Sequence, residues 1–356
     1  MSFSGTQGTQ GTQGTQGTQG TQGTQGTQGT QGAGGSSGPY LSHALATTRD
    51  GISRQWTGLG GRALDNATPG GWDAFRKMQD GPQAAVLDHE LGCLAGLDLT
   101  NPQVGAVTCQ AANSGIAVTL TRPVYDQPFV DAQMALIRSY ADLRLDRMSE
   151  IQVQTGDIVS FFGALGYLDR VATKRSLELI YAVLRLVGRL EMRLKMHFDF
   201  PRPIQTGMEV QPVIQTPGHG SWPSGHATES FAVAQVFSAL RAGSAVDALA
   251  EVSARNPAMR LAARIATNRT IAGVHYPTDS MAGAVLGLGI GEMVVNWLSG
   301  ATQTPARQFD GIGYLGDFTL ETLEGILPAS GMVTFVDAPS PVLSNLWQVA
   351  KDEWAR

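Results

Sequence analysis

The sequence predicts a mainly α-helical bundle carrying a small β-hairpin, and three observations lead there. Apolar residues recur at helical spacing over residues 130–154, 156–173, 176–197, 227–241 and 257–272, with charges on the opposite faces. Residues 281–298 are apolar almost throughout, as expected of a helix buried on every side. Residues 104–121 instead alternate around Asn113-Ser114-Gly115, the pattern of two strands joined by a tight turn.

Taken in order, residues 1–39 hold nine Gly-Thr-Gln triplets over positions 5–31 and then a Gly- and Ser-rich stretch. Such a composition has too little apolar surface to offset the entropy of ordering, so a disordered tail is expected. Glycine at every third position suits collagen, but collagen needs proline between the glycines, and the triplets have none. Residues 40–125, punctuated at Thr68-Pro69-Gly70-Gly71, are expected to pack on the core as an N-terminal segment containing the hairpin. Residues 126–300 hold the helical bundle. Residues 301–356 form a C-terminal extension of short segments broken by Pro and Gly, closing in an amphipathic helix over 344–356.

Net charge is −5, with both signs scattered along the chain, which argues against a nucleic-acid footprint or a polybasic membrane anchor. Any anionic ligand must therefore be held by a local cluster of cations. The two cysteines, Cys93 and Cys109, are too few for a disulfide framework and are expected to be free. The first residues lack the basic flank and apolar core of a signal peptide, so a cytoplasmic or otherwise soluble protein is expected. Residues 281–298 contain Gly283, Gly287, Gly289, Gly291, Glu292 and Asn296, which favours a core helix over a transmembrane segment. Self-association stays open.

Three segments carry residue types suited to one chemistry. In the first, Lys195 and Arg202 stand seven residues apart, two helical turns, where a long amphipathic helix meets Pro201 and Pro203. By itself this pair reads as solvated charge at a helix end. In the second, Pro223-Ser224-Gly225-His226 directly precedes a helix, where unpaired N–H groups and the dipole favour an anion. There Ser224 supplies a hydroxyl and Gly225 allows close backbone approach, although the tripeptide alone reads as a capped turn. In the third, Arg269 lies six residues before His275 and Asp279 four after it, so the carboxylate can orient the imidazole and leave its other nitrogen free. Taken singly, that His and Asp read as a surface pair.

In order and spacing the three segments resemble the signature of the type 2 phosphatidic acid phosphatase/vanadium haloperoxidase superfamily. The resemblance covers residues 195–279; Asn268, where that family usually has Ser, departs from it at a position peripheral to the chemistry. It implies a helical bundle of the acid phosphatase/vanadium haloperoxidase type. It also implies that His275 is a nucleophile oriented by Asp279, that His226 is a general acid, and that Lys195, Arg202, Ser224, Gly225 and Arg269 bind the oxyanion. The function implied first is metal-independent hydrolysis of a small-molecule phosphate ester through a phosphohistidine, with no cofactor. The alternative is a haloperoxidase using vanadate held on His275 to oxidise halide with peroxide; a second alternative is an assembly protein with a vestigial site. His219, Phe198 and Trp222 are candidate pocket residues, and His197 is weighed with His219, whereas His43 and His89 have no partner signature. The interleaved charges from Asp142 through Asp146 to Glu150 read as an ion-paired helix face rather than a metal site.

Overall fold

A computed structural model describes residues 39–53 and 70–355; the expected disordered tail lies almost wholly outside the described residues, as does most of the Thr68-Pro69 punctuation. The helices that position the site are α1 (Gln127–Tyr140), α2 (Arg144–Val153), α3 (Lys174–Phe198), α4 (Gly225–Ala242), α5 (Pro257–Ile271) and α6 (Pro277–Leu298). Every residue of α6 except Asn296 is buried, because it runs through the middle of the bundle. Its length and mean hydropathy, 1.5, also meet the requirement for spanning a membrane; here 94% of the apolar window is covered by protein.

The glycines spaced four apart on α6 explain how it fits. A Cβ on Gly283 would sit 2.5 Å from the carbonyl of Ser224, one on Gly287 would strike that of Thr228, and one on Gly291 would meet the Cβ of Gln235 at 3.0 Å. This glycine stripe lets the backbones of α4 and α6 approach closely, which brings the start of α4 against the start of α6. The Ser224 N–H donates to the carbonyl of Asp279 at 2.9 Å, fastening the two starts together. Farther along α6, the buried Glu292 is satisfied by Arg307, whose guanidinium donates to both carboxylate oxygens, and by the Ala248 N–H.

The expected hairpin belongs to a larger sheet with strands in the order β1 (Ala95–Asp98), β2 (Val104–Cys109), β3 (Gly115–Thr121), β4 (Gln303–Asp310) and β5 (Gly331–Thr334). β3 and β4 are parallel and the other pairs antiparallel. Asn113 and Ser114, at the β2–β3 turn, have positive φ of 50° and 65°. β4 and β5 lack the clean alternation by which the hairpin can be read in sequence. The register of β4 follows from pairing beside β3, and that of β5 from pairing beside β4.

Two helical stretches differ from expectation. The run over 130–154 is interrupted by a 3₁₀ turn at Ala141–Leu143, and of 156–173 only Val159–Gly163 is α-helical. There Asp157 accepts from the Ser160 N–H, and Asp169 from the Val171 and Ala172 N–H groups, local bonds that compete with helix propagation. The closing helix spans Pro341–Asp352 and buries Leu343, Leu346, Trp347 and Ala350. Glu353, just beyond it, accepts from the Arg175 and Ser176 N–H groups at 2.8 Å each and so caps α3, whose own N-cap Thr173 makes no side-chain cap. Both cysteines are free, Cys109 buried and Cys93 exposed.

Candidate active site

α3 stops at Asp199, which adopts φ 41°, and the chain turns through Pro201 so that Arg202 precedes the short helix Pro203–Thr206. Lys195 occupies the last turn of α3, where its ammonium donates to the carbonyls of Gly220, Ser221 and Pro223 and holds the loop leading into α4. Arg202 joins the three segments. Its Nε donates to the His219 carbonyl at 3.0 Å, Nη1 to the Val274 carbonyl at 2.8 Å and to Nε2 of His275 at 3.1 Å, and Nη2 to Nδ1 of His219 at 3.1 Å. An arginine only donates, so His219 accepts on Nδ1 although that nitrogen also lies 3.1 Å from the Gly220 carbonyl.

α4 begins where the sequence predicts. The hydroxyl of Ser224 accepts from the Ala227 N–H at 3.5 Å as the helix cap, and Gly225 and His226 follow in the first turn, where backbone N–H groups lack intrahelical acceptors. Nε2–H of His226 donates to the Gln154 carbonyl at 2.8 Å, which leaves Nδ1 as the basic nitrogen. His275 lies between α5 and α6. Its Nδ1–H donates to Oδ2 of Asp279 at 2.8 Å, so Nε2 carries the lone pair, and that lone pair faces Arg202. The same Oδ2 accepts from the Tyr276 N–H at 3.0 Å and from the Ser221 hydroxyl.

One cavity gathers Lys195 and Arg202 from the first segment, His219 from the loop that follows it, Gly225 and His226 from α4, and Arg269, Val274 and His275 from the third. Arg269 enters it from α5 fully buried; its Nη2 donates to the carbonyl of Ile151 and to Oε1 of Gln154, both at 3.1 Å. Its Nε and Nη1 have no hydrogen-bond partner among the described residues. Buried donors without partners are costly, and these two are chemically suited to an acceptor such as an oxyanion oxygen.

Burial governs the ionisation of the site. It pushes His275 and His226 well below the ordinary imidazole value, with the charge of Arg202 adding to it for His275 and that of Arg269 for His226. Burial lowers Arg202 to about 10 and Arg269 to about 9, still above neutrality, so both guanidiniums remain charged. Burial and the neighbouring Arg202 pull Lys195 down, while burial raises Asp279. His219 falls to about 4 through burial and then the charges of Lys195 and Arg202.

Phe198 and Trp222 do not line the cavity. They meet edge to face at 4.7 Å between ring centres, and a Cβ on Gly105 of β2 would strike Phe198 at 2.9 Å, so this pair belongs to the packing between α3 and the sheet. His197 lies away from the site against the carbonyls of Asn101 and Val104. Asn268 is turned aside, donating to Glu150 and Gln154, in keeping with a peripheral position. Glu150 also binds Arg264 and Arg147, the ion-paired face expected for this helix, and no cluster of three or more metal-ligating side chains occurs among the described residues.

Three side chains at the site escaped the sequence reading. Gln154 links His226, Arg269 and Asn268 from the end of α2, and no sequence signal marks it. Glu191 and Glu229 line the cavity, one turn before Lys195 and one turn after His226; tracing those helix faces would have found both.

A search of curated protein sequences finds no match. Residues 176–303, which include all three segments, match the family model of the PAP2 superfamily, generally phosphatases and other hydrolases. The part of this chain that carries the site is therefore similar to the PAP2 superfamily.

Proposed function

We propose that the protein hydrolyses small phosphate esters, with His275 as nucleophile and His226 as proton carrier. The observation that carries this reading is the pairing of a neutral His275, oriented through Nδ1 by Asp279, with a buried Arg269 whose Nε and Nη1 lack partners across the same cavity. Non-bridging oxygens of the ester would accept from Arg269, Arg202 and the N–H groups at the start of α4, with Lys195 adding charge from behind the loop. As Arg202 turns to the ester it releases Nε2 of His275, which attacks phosphorus while the bond to the leaving oxygen breaks. His226, protonated on Nδ1 as the incoming negative charge raises its basicity, delivers that proton to the leaving oxygen. In the second half a water attacks the phosphohistidine, His226 takes its proton, the P–N bond breaks and phosphate leaves. Three cations already supply the charge that a metal ion supplies elsewhere, so the reaction is expected to run without one.

The same groups fit vanadate: His275 Nε2 would hold the vanadium, and Lys195, Arg202 and Arg269 its oxygens. Bound there, vanadate would supply the capacity to oxidise halide with peroxide. A paired assay on chelator-treated protein separates the readings by following p-nitrophenyl phosphate hydrolysis and vanadate-dependent bromide oxidation. Ester hydrolysis that vanadate inhibits and His275→Ala abolishes is expected. Bromination with negligible ester turnover would overturn it, and near-normal turnover in His275→Ala would remove the nucleophile assignment.

A further inference from the structure

Two acids stand in the wall of a cavity otherwise built to hold an anion. Glu191 and Glu229 are each 1% exposed, and both line the cavity. Neither oxygen of Glu229 has a hydrogen-bond partner among the described residues, nor has Oε2 of Glu191. The Glu191 carboxyl lies against Gly225, where an added Cβ would meet its Oε1 at 2.7 Å. A buried carboxylate without donors is unfavourable, and a carboxylate beside a bound oxyanion more so.

The charged and titratable groups around the pair are Lys195 from α3, Arg202 and His219 from the loops, His226 from α4, Arg269 from α5, and His275 with Asp279 at the start of α6. With Lys195 protonated, Lys195, Arg202 and Arg269 bring three positive charges against one negative on Asp279, and the histidines are neutral before a ligand arrives. The surplus of two matches a dianion only when both glutamic acids are uncharged. With both ionised the cavity is neutral before the ligand arrives, and a dianion would leave two uncompensated charges in a buried site.

We propose that Glu191 and Glu229 are a proton-holding pair in the wall of the cavity, so that a dianionic oxyanion enters together with protons from solution and the neutral acids face it as hydrogen-bond donors. This rests on the oxyanion reading of the site and adds to it an ionic form, since binding strengthens as pH falls. Burial raises both carboxyls, and their proximity to each other raises Glu229 further. Each proton taken up makes affinity fall about tenfold per pH unit.

The test is titration calorimetry of the full chain with tungstate, which stays dianionic from neutrality upward, in buffers of different ionisation enthalpy at a series of pH values rising from neutral until both acids are ionised in the ligand-free protein. Wild type is expected to take up about one to two protons per tungstate, and Glu229→Gln about one fewer with a shallower pH dependence of affinity. Uptake unchanged in Glu229→Gln would assign the protons to Lys195 or the histidines and overturn the proposal, as would wild-type binding without proton uptake. No tungstate binding to folded wild type would remove the oxyanion reading itself, a distinguishable failure. Glu191→Gln gives the same readout should Glu229→Gln not fold.

Discussion

Replacing Asp279 by Asn tests whether its charge, rather than its hydrogen bonds, matters to His275. All three bonds to this carboxylate, from His275 Nδ1, the Tyr276 N–H and the Ser221 hydroxyl, fall on Oδ2, while Oδ1 has no partner among the described residues. An asparagine can therefore present its oxygen in the Oδ2 position and keep all three donors satisfied while removing the charge, its amide NH2 taking the place of the unpartnered Oδ1. Alanine would orphan three buried donors at about 1–3 kcal/mol each, and their sum rivals a total stability of about 5–15 kcal/mol. When His275 becomes cationic on attacking phosphorus, a hydrogen bond to a charged acceptor contributes about 1.5–3 kcal/mol, against about 0.5–1.5 kcal/mol for a neutral one. The direct charge interaction adds up to about 4 kcal/mol at 4 Å in a protein-like dielectric. Loss of between about 1.4 and 4 kcal/mol lowers kcat about tenfold to about a thousandfold. The assay is kcat on p-nitrophenyl phosphate beside a thermal melt, and Tm is expected within about 4 °C of wild type. A folded Asp279→Asn variant with kcat within threefold of wild type would refute the assignment.

His226→Ala should cost about 10²–10⁴-fold in kcat on an alkyl phosphate and much less on p-nitrophenyl phosphate, whose leaving group departs unprotonated; equal losses on both would count against an acid role. The raised Glu229 carboxyl also predicts a stability difference that depends on pH. Folded Glu229 keeps its proton where the unfolded chain has released it, so its stabilising contribution is full below the ordinary carboxyl value and is lost as pH rises through the folded one. Glu229→Gln avoids that loss. Its Tm relative to wild type should climb from about pH 4.5 upward; a difference flat with pH would show that the carboxyl is not buried as a neutral acid.

Much of the site was legible in sequence because its parts are local. Lys195 rides on the last turn of a helix that ends before Pro201, with Arg202 just beyond its end, Ser224 and Gly225 open the helix that carries His226, and His275 reaches Asp279 across four residues. Each relation follows from helix geometry and capping, which depend on residues within one or two turns. The long helices were legible for the same reason, and the failures were local too: Asp157 and Asp169 offered the backbone other partners between residues 156 and 173.

What the chain alone determined is therefore the identity of the cations and histidines, and the helix ends on which they ride. Tertiary structure decided which of those ends meet. The stripe of Gly283, Gly287 and Gly291 draws α6 against α4, and Arg202 then reaches His219, Val274 and His275 together. The same packing turns Phe198 and Trp222 into core, lines the cavity with Glu191 and Glu229 from two different helices, and pairs β4 with β3 across a long stretch of sequence. Periodicity shows which face of a helix is buried; what lies opposite that face depends on how closely two backbones approach, and small residues set this distance only once the partner helix is in place.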